Sequence, residues 1–543
     1  YGDDTYARIN VAKIKRIEIL NGASSALYGT NAIGGVINII TDDAKNAINV
    51  SSDTRYASKG RFTQSVNIDV NTGKFGSYTS YRRQQAEGWQ LNPYEENSKT
   101  HELEETGKVA STGFYANTVN QKFTFDATDK LSFYARGGYY DNKTRRPYEA
   151  YDYNILHETF NYGIGAQYMI NKGNYITADC YADHFSSSYC FFKDNKTYNG
   201  KAGEEQVRKR TRNHNLSIKG IFKLGNRHKL SVGTEYIVDV LKSQTDNIAK
   251  EDAYTLALFA QDEIKLLRNL QALIGVRYIY HENFKNHATP NVALMYKPGK
   301  FNFRASYAAG FRTPTLSELY ATDIAKKNDR LTIGNLDLKS EKNNYFSLSA
   351  EYVHERFSVS VNAFYNNIRD MIDYNTIATG DKAMEQYGHK EVRQRDNIAE
   401  AKVHGINVSA NAYLGAGFNL SGGYTHLNTQ DVELEQPIDK SIKNAYNINA
   451  QWAHSWKIYR LNINLNGRIN SKRFSKSYGY APEYQLWNLN TRHSFNLKSV
   501  IIEPGCGMEN LFDYMDDRPY NSNYATLTPG RSFYISLSLK FKS

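Results

Sequence analysis

The stretch Phe357-Ser-Val-Ser-Val-Asn-Ala-Phe-Tyr365 alternates apolar and polar side chains along its length. Successive side chains of a β-strand point to opposite faces, so alternation at period two is the main sequence signal of a strand with one apolar face. The apolar face holds Phe357, Val359, Val361, Ala363 and Tyr365. The other face carries serine and asparagine. The stretch therefore predicts a strand that separates an apolar environment from a wet one.

The same alternation continues on both sides of this stretch, from about residue 48 to the end of the chain. It is clear in Phe301–Tyr307, in Phe346–Tyr352, in Leu461–Asn466 and in the last strand, Phe533–Phe541. Repeated short strands with no intervening helical pattern indicate an all-β fold.

The polar face distinguishes two kinds of all-β fold. In a soluble sandwich the polar face meets bulk water, whereas in a large membrane barrel it lines a wet lumen and the apolar face meets lipid. Dividing this roughly 500-residue region among ~22 antiparallel strands leaves roughly 23 residues for each strand and its loop. Barrels of about 22 strands are known with a plugged lumen. We therefore predict a large transmembrane antiparallel β-barrel of about 22 strands.

Composition agrees with a membrane barrel. The chain has 543 residues, of which 23% are charged and 13% aromatic, and its mean hydropathy is −0.64. It contains no run of 18 apolar residues, which excludes helical membrane spans. Low hydropathy is compatible with a barrel because only alternate residues face lipid. The 43 tyrosines fit the aromatic girdles at the two membrane interfaces.

The formal net charge of +11 raises the question of nucleic-acid binding. The basic residues cluster only briefly, in Arg208-Lys209-Arg210-Thr211-Arg212, and acidic residues are interspersed elsewhere. A solvated loop or rim strand explains such a run better than a nucleic-acid site. Contact with outer-membrane lipid or lipopolysaccharide is a further reading of the same run.

Three cysteines are too few for a disulfide framework. Cys180 and Cys190 can pair only if a turn lies between them, since one extended strand would hold them about 33 Å apart. The alternative is that both are free thiols. Cys506 has no evident partner.

Enzyme motifs fail on their spacing. Gly29-Thr-Asn-Ala-Ile-Gly34-Gly35 lacks the Lys-Ser/Thr pair of a phosphate loop, and His157-Glu158 lacks the second histidine of a zinc protease. No Gly-x-Ser-x-Gly occurs, and no Cys/His cluster has structural zinc spacing. We expect no enzymatic activity and no intrinsic cofactor.

A glycine-punctuated segment precedes the barrel pattern and runs from Lys15-Arg-Ile-Glu-Ile to Gly34-Gly-Val-Ile-Asn-Ile-Ile-Thr41. It resembles the end of the plug domain of TonB-dependent outer-membrane receptors. The resemblance implies two domains: residues 1–43 as the C-terminal part of a plug that lies in the lumen, and residues 44–543 as the barrel. We expect the chain to begin inside a longer precursor whose earlier plug strands and TonB box precede residue 1.

Two further pairs of motifs resemble boxes of the same family. Ala309–Tyr320, which contains Phe311-Arg-Thr-Pro314, and Gly334–Glu341 resemble the Phe-Arg-Ala-Pro and Asn-Pro-Asn-Leu boxes, with threonine for alanine in the first and no proline in the second. Glu509–Tyr514 and Thr528–Tyr534 resemble the Asn-Leu-Phe-Asp and Pro-Gly-Arg boxes before the last strand. Together these matches span most of the chain.

The resemblance implies energy-coupled import across the outer membrane of a Gram-negative bacterium, with the TonB–ExbB–ExbD complex as inner-membrane partner. The boxes occur in receptors for vitamin B12-type corrinoids and for haem, and in weaker form in siderophore receptors. We rank a corrinoid first, haem second and a ferric siderophore third. Readings from other classes are a passive porin or surface-binding barrel, and a soluble β-rich enzyme or lectin.

Candidate ligand contacts follow from the family's use of outer loops and plug apices. They are Tyr28, Asn31, Trp89, Arg312, Tyr320 and Arg330. Arg312 has a second reading, as the structural partner of a lumen carboxylate. Haem receptors of this family typically carry an iron-ligating histidine in the loop between the two boxes, and residues 315–334 contain none, which makes haem a less favoured cargo. If the cargo is haem, the candidate iron ligands are His281, His287 and His389.

The outer loops are predicted where polar residues interrupt the alternation. The ranges are 141–157, 186–210, 312–342, 366–400, 427–442, 470–483 and 513–530. The acidic patch Asp513–Asp517 allows a calcium ion in the last of them, but an ordinary solvated turn explains the patch better. A surface lipoprotein partner is left open.

Overall fold

The structure is a computed structural model that describes residues 14–21, 35–41, 47–97, 99–325, 329–476, 478–516, 518 and 526–542. Tyr28 and Asn31 lie outside the described residues. Within these ranges, no helix combines the length and apolar character needed to cross a membrane.

In the described part of the segment before the barrel there are two short strands. They are β1 (Ile14–Asn21) and β2 (Gly35–Thr41), which pair antiparallel with Ile17 opposite Ile39. Both strands belong to the segment that resembles a plug.

The remaining strands form the barrel and its loops. In chain order they are β3 (Ile48–Ala57), β4 (Arg61–Asn71), β5 (Phe75–Ala86), β6 (Tyr94–Glu96), β7 (Leu103–Glu105), β8 (Gly113–Asp126), β9 (Leu131–Arg145), β10 (Tyr153–Asn171), β11 (Asn174–Phe191), β12 (Glu205–Leu224), β13 (His228–Ser243), β14 (Ile248–Leu267), β15 (Leu270–His281), β16 (Lys285–Tyr296), β17 (Phe301–Arg312), β18 (Thr322–Ala325), β19 (Arg330–Ile333), β20 (Glu341–Val353), β21 (Phe357–Thr379), β22 (Glu391–Gly415), β23 (Phe418–Asp431), β24 (Asn444–Trp456), β25 (Tyr459–Asn470), β26 (Arg473–Ser475), β27 (Gly479–Ala481), β28 (Tyr484–Leu497), β29 (Val500–Glu509) and β30 (Ser532–Lys542). Two helices lie within the described residues, α1 (Leu316–Tyr320) and α2 (Gly380–Tyr387).

Of these strands, 22 form the wall of a closed antiparallel barrel, and the short strands β6, β7, β18, β19, β26 and β27 lie in its loops. The barrel closes because β30 pairs with β29 on one side and with β3 on the other. Closure leaves the wall without an exposed edge. The predicted fold class is therefore confirmed.

The faces of the wall are arranged as the alternation predicts. On β21, Phe357, Val359 and Val361 are 42%, 38% and 41% exposed, while the polar residues between them are half-buried. Ile164 and Ile535 are 64% and 66% exposed on distant strands. Because such side chains surround the barrel and point outward, they form a belt that only lipid can cover.

The connections differ at the two ends of the barrel. One end has tight turns, such as 72–74, 172–173, 225–227, 268–269 and 416–417. The other end, which we call the long-loop end, carries connections such as 87–112, 192–204, 313–340, 471–483 and 510–531. In bacterial outer-membrane barrels the short turns face the periplasm and the longer loops face outward.

Three predicted loops are too wide. The range 141–157 contains the ends of β9 and β10, and 186–210 contains the ends of β11 and β12. In 366–400 the loop proper is confined to 380–390 and includes α2. The strands continue to pair beyond the lipid, where both faces meet water, so the alternation disappears while the ladder of backbone hydrogen bonds continues.

Other loop predictions agree more closely. Strands β25 and β28 flank 471–483, one residue from the predicted bound, and 313–340 lies inside the predicted 312–342. The predicted range 427–442 includes the end of β23, and part of 513–530 lies outside the described residues. The long loop 87–112, which contains Trp89, was missed as a range.

The cysteine alternative is resolved in favour of free thiols. Cys180 and Cys190 both lie on β11, which runs without a turn from Asn174 to Phe191. Neither forms a disulfide, and Cys506 is also free.

Candidate ligand site at the long-loop end

The end of β17 leaves the regular wall. Its pairing with β16 stops at Ala308, opposite Asn291, but its pairing with β20 continues to Arg312, opposite Glu341. Phe311 is 2% exposed and packs with Ala257 and Ile279, which lie on the buried faces of β14 and β15. The end of β17 therefore leans over the inner side of its neighbours.

Arg312 holds this region together. Its Nε and Nη2 donate to the two carboxylate oxygens of Glu341 at 2.7 and 2.6 Å. Its Nη1 and Nη2 also donate to Glu318 at 2.9 and 3.1 Å. Two-pronged pairing of guanidinium with carboxylate is the strongest form of this interaction. The arginine thus fixes α1 and the start of β20 to the end of β17.

Glu318 has a second role in the capping box of α1. Thr315 Oγ1 accepts from the Glu318 amide at 3.2 Å, and the Glu318 carboxylate accepts from the Thr315 amide at 2.7 Å. Burial raises the pKa of Glu318, but the hydrogen bonds from Arg312 and Thr315 outweigh burial and hold it below its ordinary value. The carboxylate is therefore charged at neutral pH.

The loop that follows is docked along its length. Leu319 is buried, and a Cβ on Gly334 would lie 2.4 Å from the Leu319 carbonyl oxygen, so this close approach requires glycine. The Thr322 amide donates to the Asp246 carbonyl at 2.8 Å, in the turn after β13. Strand β19 pairs parallel to β22, with Arg330 opposite Glu391. Residues 313–340 are thus held on both sides of β17, by the turn between β13 and β14 on one side and by β22 on the other.

The residues predicted to contact the ligand lie in two different loops. Arg312, Tyr320 and Arg330 share this loop, whereas Trp89 lies between β5 and β8 and pairs through its backbone with Ser111. The Arg312 guanidinium is occupied by two carboxylates, which matches its structural reading. Tyr320 is half-buried at the end of α1, and burial raises its pKa, as do Glu251 and Glu282. Ligand contact by these residues stays a prediction.

Arg330 differs from Arg312. Its Nε is buried and has no hydrogen-bond partner in the described chain. An unsatisfied buried donor costs about 1–3 kcal/mol, so a bound acceptor would relieve it.

The three candidate histidines are already engaged by protein groups. His281 is 7% exposed, and its Nδ1 accepts from the Asn283 amide at 3.1 Å. The His287 ring stacks on Phe311 at 4.4 Å between centroids, with Nε2 at 3.2 Å from Ser340 Oγ. His389 Nδ1 lies 2.9 Å from Asp329 Oδ1. Iron ligation by any of them would require these contacts to break.

The acidic patch near the last loop is similarly occupied. Asp513 Oδ1 accepts from the Arg531 amide at 2.5 Å, and Asp516 pairs with Arg518 at 2.9 Å. Asp517 lies outside the described residues. Within the part of the chain that is described, no three His, Cys, Asp or Glu side chains are arranged to hold a metal. Calcium binding stays a prediction that these contacts do not favour.

A group that the sequence analysis missed lies at the outer ends of β10, β11 and β12. We call Arg146, Tyr153, Tyr189, Tyr198 and Arg208 the tyrosine–arginine cluster. Tyr153 stacks on Tyr189 at 4.1 Å, and Tyr198 meets Tyr189 edge-on at 5.1 Å. The guanidinium of Arg208 lies 4.9 Å from the Tyr198 ring, and that of Arg146 lies 4.9 Å from Tyr153. Cation–π contacts of this kind hold arginine against an aromatic surface.

The loop 192–204 positions this cluster. Asn195 and Gly200 form a bridge, and Asn195 Nδ2 donates to Asp152 Oδ2 at 2.8 Å, which fastens the loop to the neighbouring one. Gly200 lies against the Phe191 ring, where a Cβ would approach to 2.5 Å. Burial raises the pKa of the Tyr198 phenol, so it is a neutral hydrogen-bond donor at physiological pH. The sequence signal that could have revealed this cluster is the presence of Tyr153 at the start of β10 and Tyr189 near the end of β11, close to the basic run Arg208–Arg212.

A groove of about 560 Å³ opens next to the cluster, at the outer ends of β12 and β13. Its lining includes Tyr198, Arg208, Lys209, Arg210 and Lys242. Four cations and an aromatic ring around one groove form a surface suited to an anionic ligand that carries aromatic rings.

A closed 22-strand barrel with an apolar belt and long loops at one end defines an integral protein of the Gram-negative outer membrane. The chain belongs to the TonB-dependent receptors. The family model described as "TonB dependent receptor-like, beta-barrel" matches residues 61–504, and the model of the TonB-dependent receptor plug domain matches residues 1–36. The protein is therefore a TonB-dependent outer-membrane receptor, and the family resemblance of the sequence motifs is confirmed.

Solved receptors share the fold. A mutant of the ferric enterobactin receptor PfeA from Pseudomonas aeruginosa matches with a TM-score of 0.82 at 17% identity, over 98% of this chain and 86% of that one. The siderophore receptor PirA from Acinetobacter baumannii gives 0.78 at 16%, over 98% and 86%. The iron transporter FrpB from Neisseria meningitidis gives 0.75 at 14%, over 98% and 88%.

Proposed function

We propose that this receptor imports an anionic ferric siderophore with aromatic iron-binding groups. The observation that carries the proposal is the tyrosine–arginine cluster beside the cationic groove at the long-loop end. Aromatic chelating rings can stack on the tyrosines, while the negative charge of the complex meets Arg208 and its neighbours. The names of the structural relatives, a ferric enterobactin receptor and siderophore receptors, point the same way.

This proposal reverses the order of cargoes that the sequence suggested. The ranking of a corrinoid first rested on motifs shared by several receptor classes, and corrinoid import stays unconfirmed. Haem is disfavoured because His281, His287 and His389 each contact a protein group. A ferric siderophore needs no protein ligand to the iron, since its own oxygens fill the coordination sphere. The cationic groove fits that requirement without a histidine.

Transport follows from the family. The cargo binds from outside, and the TonB–ExbB–ExbD complex in the inner membrane then supplies the energy that moves the plug. A passive porin has no plug, whereas the plug model matches residues 1–36 of this chain. Deletion of residues 1–42 from the full-length receptor should therefore raise the passive leak of a small solute through the barrel.

Binding to the purified full-length receptor in detergent tests the cargo. Four probes are titrated separately by calorimetry: ferric enterobactin, a neutral ferric trishydroxamate, cyanocobalamin and haemin. We expect ferric enterobactin to bind tightest, and added salt to weaken it because exposed charge pairs are screened. Tight binding of cyanocobalamin or haemin alone would overturn the proposal.

Variants tie the binding to the cluster. Arg208→Gln and Tyr153→Ala should each weaken ferric enterobactin binding about five- to thirtyfold, because a partly desolvated cation–π or stacking contact contributes about 1–2 kcal/mol. Arg356→Gln is the matched control, since Arg356 lies in the turn between β20 and β21 at the opposite end. Equal affinity of the Arg208→Gln variant and the control would show that the cargo binds elsewhere.

A further inference from the structure

The tight-turn end of the barrel carries lysines on its inner surface. On β12 the exposed Ile218 marks the lipid face, and on β14 the exposed Leu258 does so. Strand alternation therefore places Lys223 and Lys265 on the lumen face, close to the turns at which the two strands end. Lys229 lies directly opposite Lys223 on β13 and shares its face. Three lysines thus face the lumen at its periplasmic mouth.

These lysines line a cavity of about 1140 Å³. Two arginines add to its positive charge: Arg227 lies in the turn after β12, and Arg304 lies on the lumen face of β17, where it pairs with Glu351 at 3.3 Å. Among the described residues that line the cavity, Glu263 is the one carboxylate. The cavity therefore has a clear excess of positive charge. We define the inner cation patch as Lys223, Arg227, Lys229, Lys265 and Arg304.

Part of this charge is not compensated by neighbouring carboxylates. Lys229 Nζ pairs with Glu263 at 2.9 Å, but neither Lys223 nor Lys265 forms an ion pair with a carboxylate of the described chain. Lys223 and Lys229 also oppose each other as like charges across β12 and β13. Like charges in directly opposed positions destabilise a strand pair. An anion bound between them would remove this repulsion.

The patch is separate from the groove that we assign to the cargo. Lys209, which lines that groove, and Lys223 lie near opposite ends of β12, about 46 Å apart along the strand. No small ligand can contact both at once. The two surfaces also differ in chemistry, because Arg208 lies against tyrosine rings, whereas no cation of the patch lies over an aromatic ring within the described residues. The patch therefore offers positive charge without a stacking surface.

We infer that the inner cation patch is a second anion site, which holds the negatively charged ferric chelate as it leaves the lumen for the periplasm. The identity of this anion rests on the proposed function. Lysine ammonium groups are mobile, strongly hydrated point charges, and exposed ion pairs are weak. Such a site binds by charge, with little selection for shape, and releases its ligand readily. A site on a transport route must combine attraction with easy release.

Fluorescence at the periplasmic mouth of the full-length receptor in detergent tests the inference. The three native cysteines are replaced by serine, and Asn226→Cys in the exposed turn 225–227 carries a fluorophore that a bound iron complex quenches. The probes are ferric enterobactin, hexacyanoferrate(III) as a trianion without aromatic rings, and a neutral ferric trishydroxamate. We expect saturable quenching by both anions, weakened by added salt, and none by the neutral complex.

Two double variants connect the quenching to the patch. Lys223→Gln with Lys265→Gln should weaken the binding of both anions about three- to tenfold, because two exposed charge pairs are lost. Lys74→Gln with Lys457→Gln is the matched control, since it removes two exposed lysines from other turns at the same end. The control should bind both anions as the parent receptor does. Heat-dependent migration on denaturing gels shows that both double variants are folded.

The outcomes separate this inference from the proposed function. If ferric enterobactin fails to bind at the long-loop end but both anions quench the fluorophore saturably, the proposed cargo is wrong and the inner anion site is supported. The inference is overturned if neither anion quenches saturably, or if the neutral complex quenches as strongly as the anions. Equal loss of binding in the two double variants would overturn it as well.

Discussion

The lipid-facing wall and the loop between β17 and β20 are organised by different rules. In the wall, as on Phe357–Tyr365, apolar and polar residues alternate, so that successive side chains face lipid and lumen in turn, and the neighbouring strands follow the same pattern. In 313–340, position depends on contacts between residues far apart in the chain, such as Arg312 with Glu341. In the wall, the orientation of each side chain is fixed by the local alternation and by the lipid or water that each face meets. The loop is fixed by specific polar contacts, so single substitutions should affect the two regions differently.

The largest effect should follow Arg312→Leu. This change leaves the Glu318 and Glu341 carboxylates, 13% and 10% exposed, without their counter-charge. Removing one partner of a largely buried ion pair costs about 3–5 kcal/mol. We expect the backbone amides of α1 and of Ile372, which donates to Glu341, to exchange hydrogen about a hundredfold faster or more. Hydrogen-exchange mass spectrometry measures this.

The wall should not respond to the same substitution. Amides of β24 and β25 should keep their wild-type protection, because backbone pairing there does not involve the loop. Arg312→Lys is the conservative variant and should lie between leucine and wild type, since lysine keeps the charge but not the two-pronged geometry. Unchanged exchange in α1 would show that Arg312 does not hold the loop.

A smaller effect is expected from a charge on the wall, and its size should depend on the face. Val361→Arg places a cation in the lipid belt and should lower the free energy of unfolding by about 2–4 kcal/mol, as for basic residues near the bilayer midplane of barrels. Asn362→Arg, one residue on, points to the wet lumen and should change it little. Equilibrium denaturation in lipid vesicles compares the two. Equal losses would contradict the assignment of faces.

This contrast explains how far the sequence alone could reach. The alternation on β21 and β30 predicted the strands of the wall and their two faces, because the polarity of each side chain matches the lipid or the water that it faces. The Phe311–Pro314 and Asn510–Asp513 motifs pointed to the family. The widths of the loops were overestimated because the strands continue into water, where polar residues occupy both faces.

The candidate site could be predicted only in part. Arg312 was singled out by its motif, but its two carboxylate partners lie 6 and 29 residues away, and no local pattern shows which residues meet it. The tyrosine–arginine cluster joins Tyr153, Tyr189 and Tyr198 from two strands and a loop. Its assembly depends on the strand register and on the conformation of the loop 192–204, and neither can be deduced from a local sequence pattern.

Acid should loosen the loop without affecting the wall. The pKa of Glu318 lies below its ordinary value of 4.5, so its contribution to docking is complete above pH 4.5. The contribution is lost as the pH falls through the lowered pKa of the folded state, because protonation removes the pairing with Arg312. A spin label at Leu336, which is 67% exposed, should become more mobile as the pH falls below 4.5, the ordinary pKa of a glutamate.

A matched variant separates Glu318 from general acid effects. Glu318→Gln has no charge to lose, so its label should be mobile at neutral pH, and the transition of the wild type should be smaller or absent. The effect should be smaller than that of Arg312→Leu because one carboxylate is neutralised rather than two left unpaired. A label on the short turn 416–417 should not respond. An identical acid transition in Glu318→Gln would assign it to another group.

The smallest effect should come from the cysteines of the wall. Cys180 and Cys190 lie on one uninterrupted strand, and successive residues rise about 3.3 Å, so their sulfurs cannot meet while β11 is formed. Reductant should therefore leave the melting temperature unchanged, and Cys190→Ser should behave like wild type under oxidising conditions. Thiol labelling of the denatured protein should count 3 free cysteines. A melting temperature that falls with reductant would require a turn within β11, and with it a different register for β10, β11 and β12.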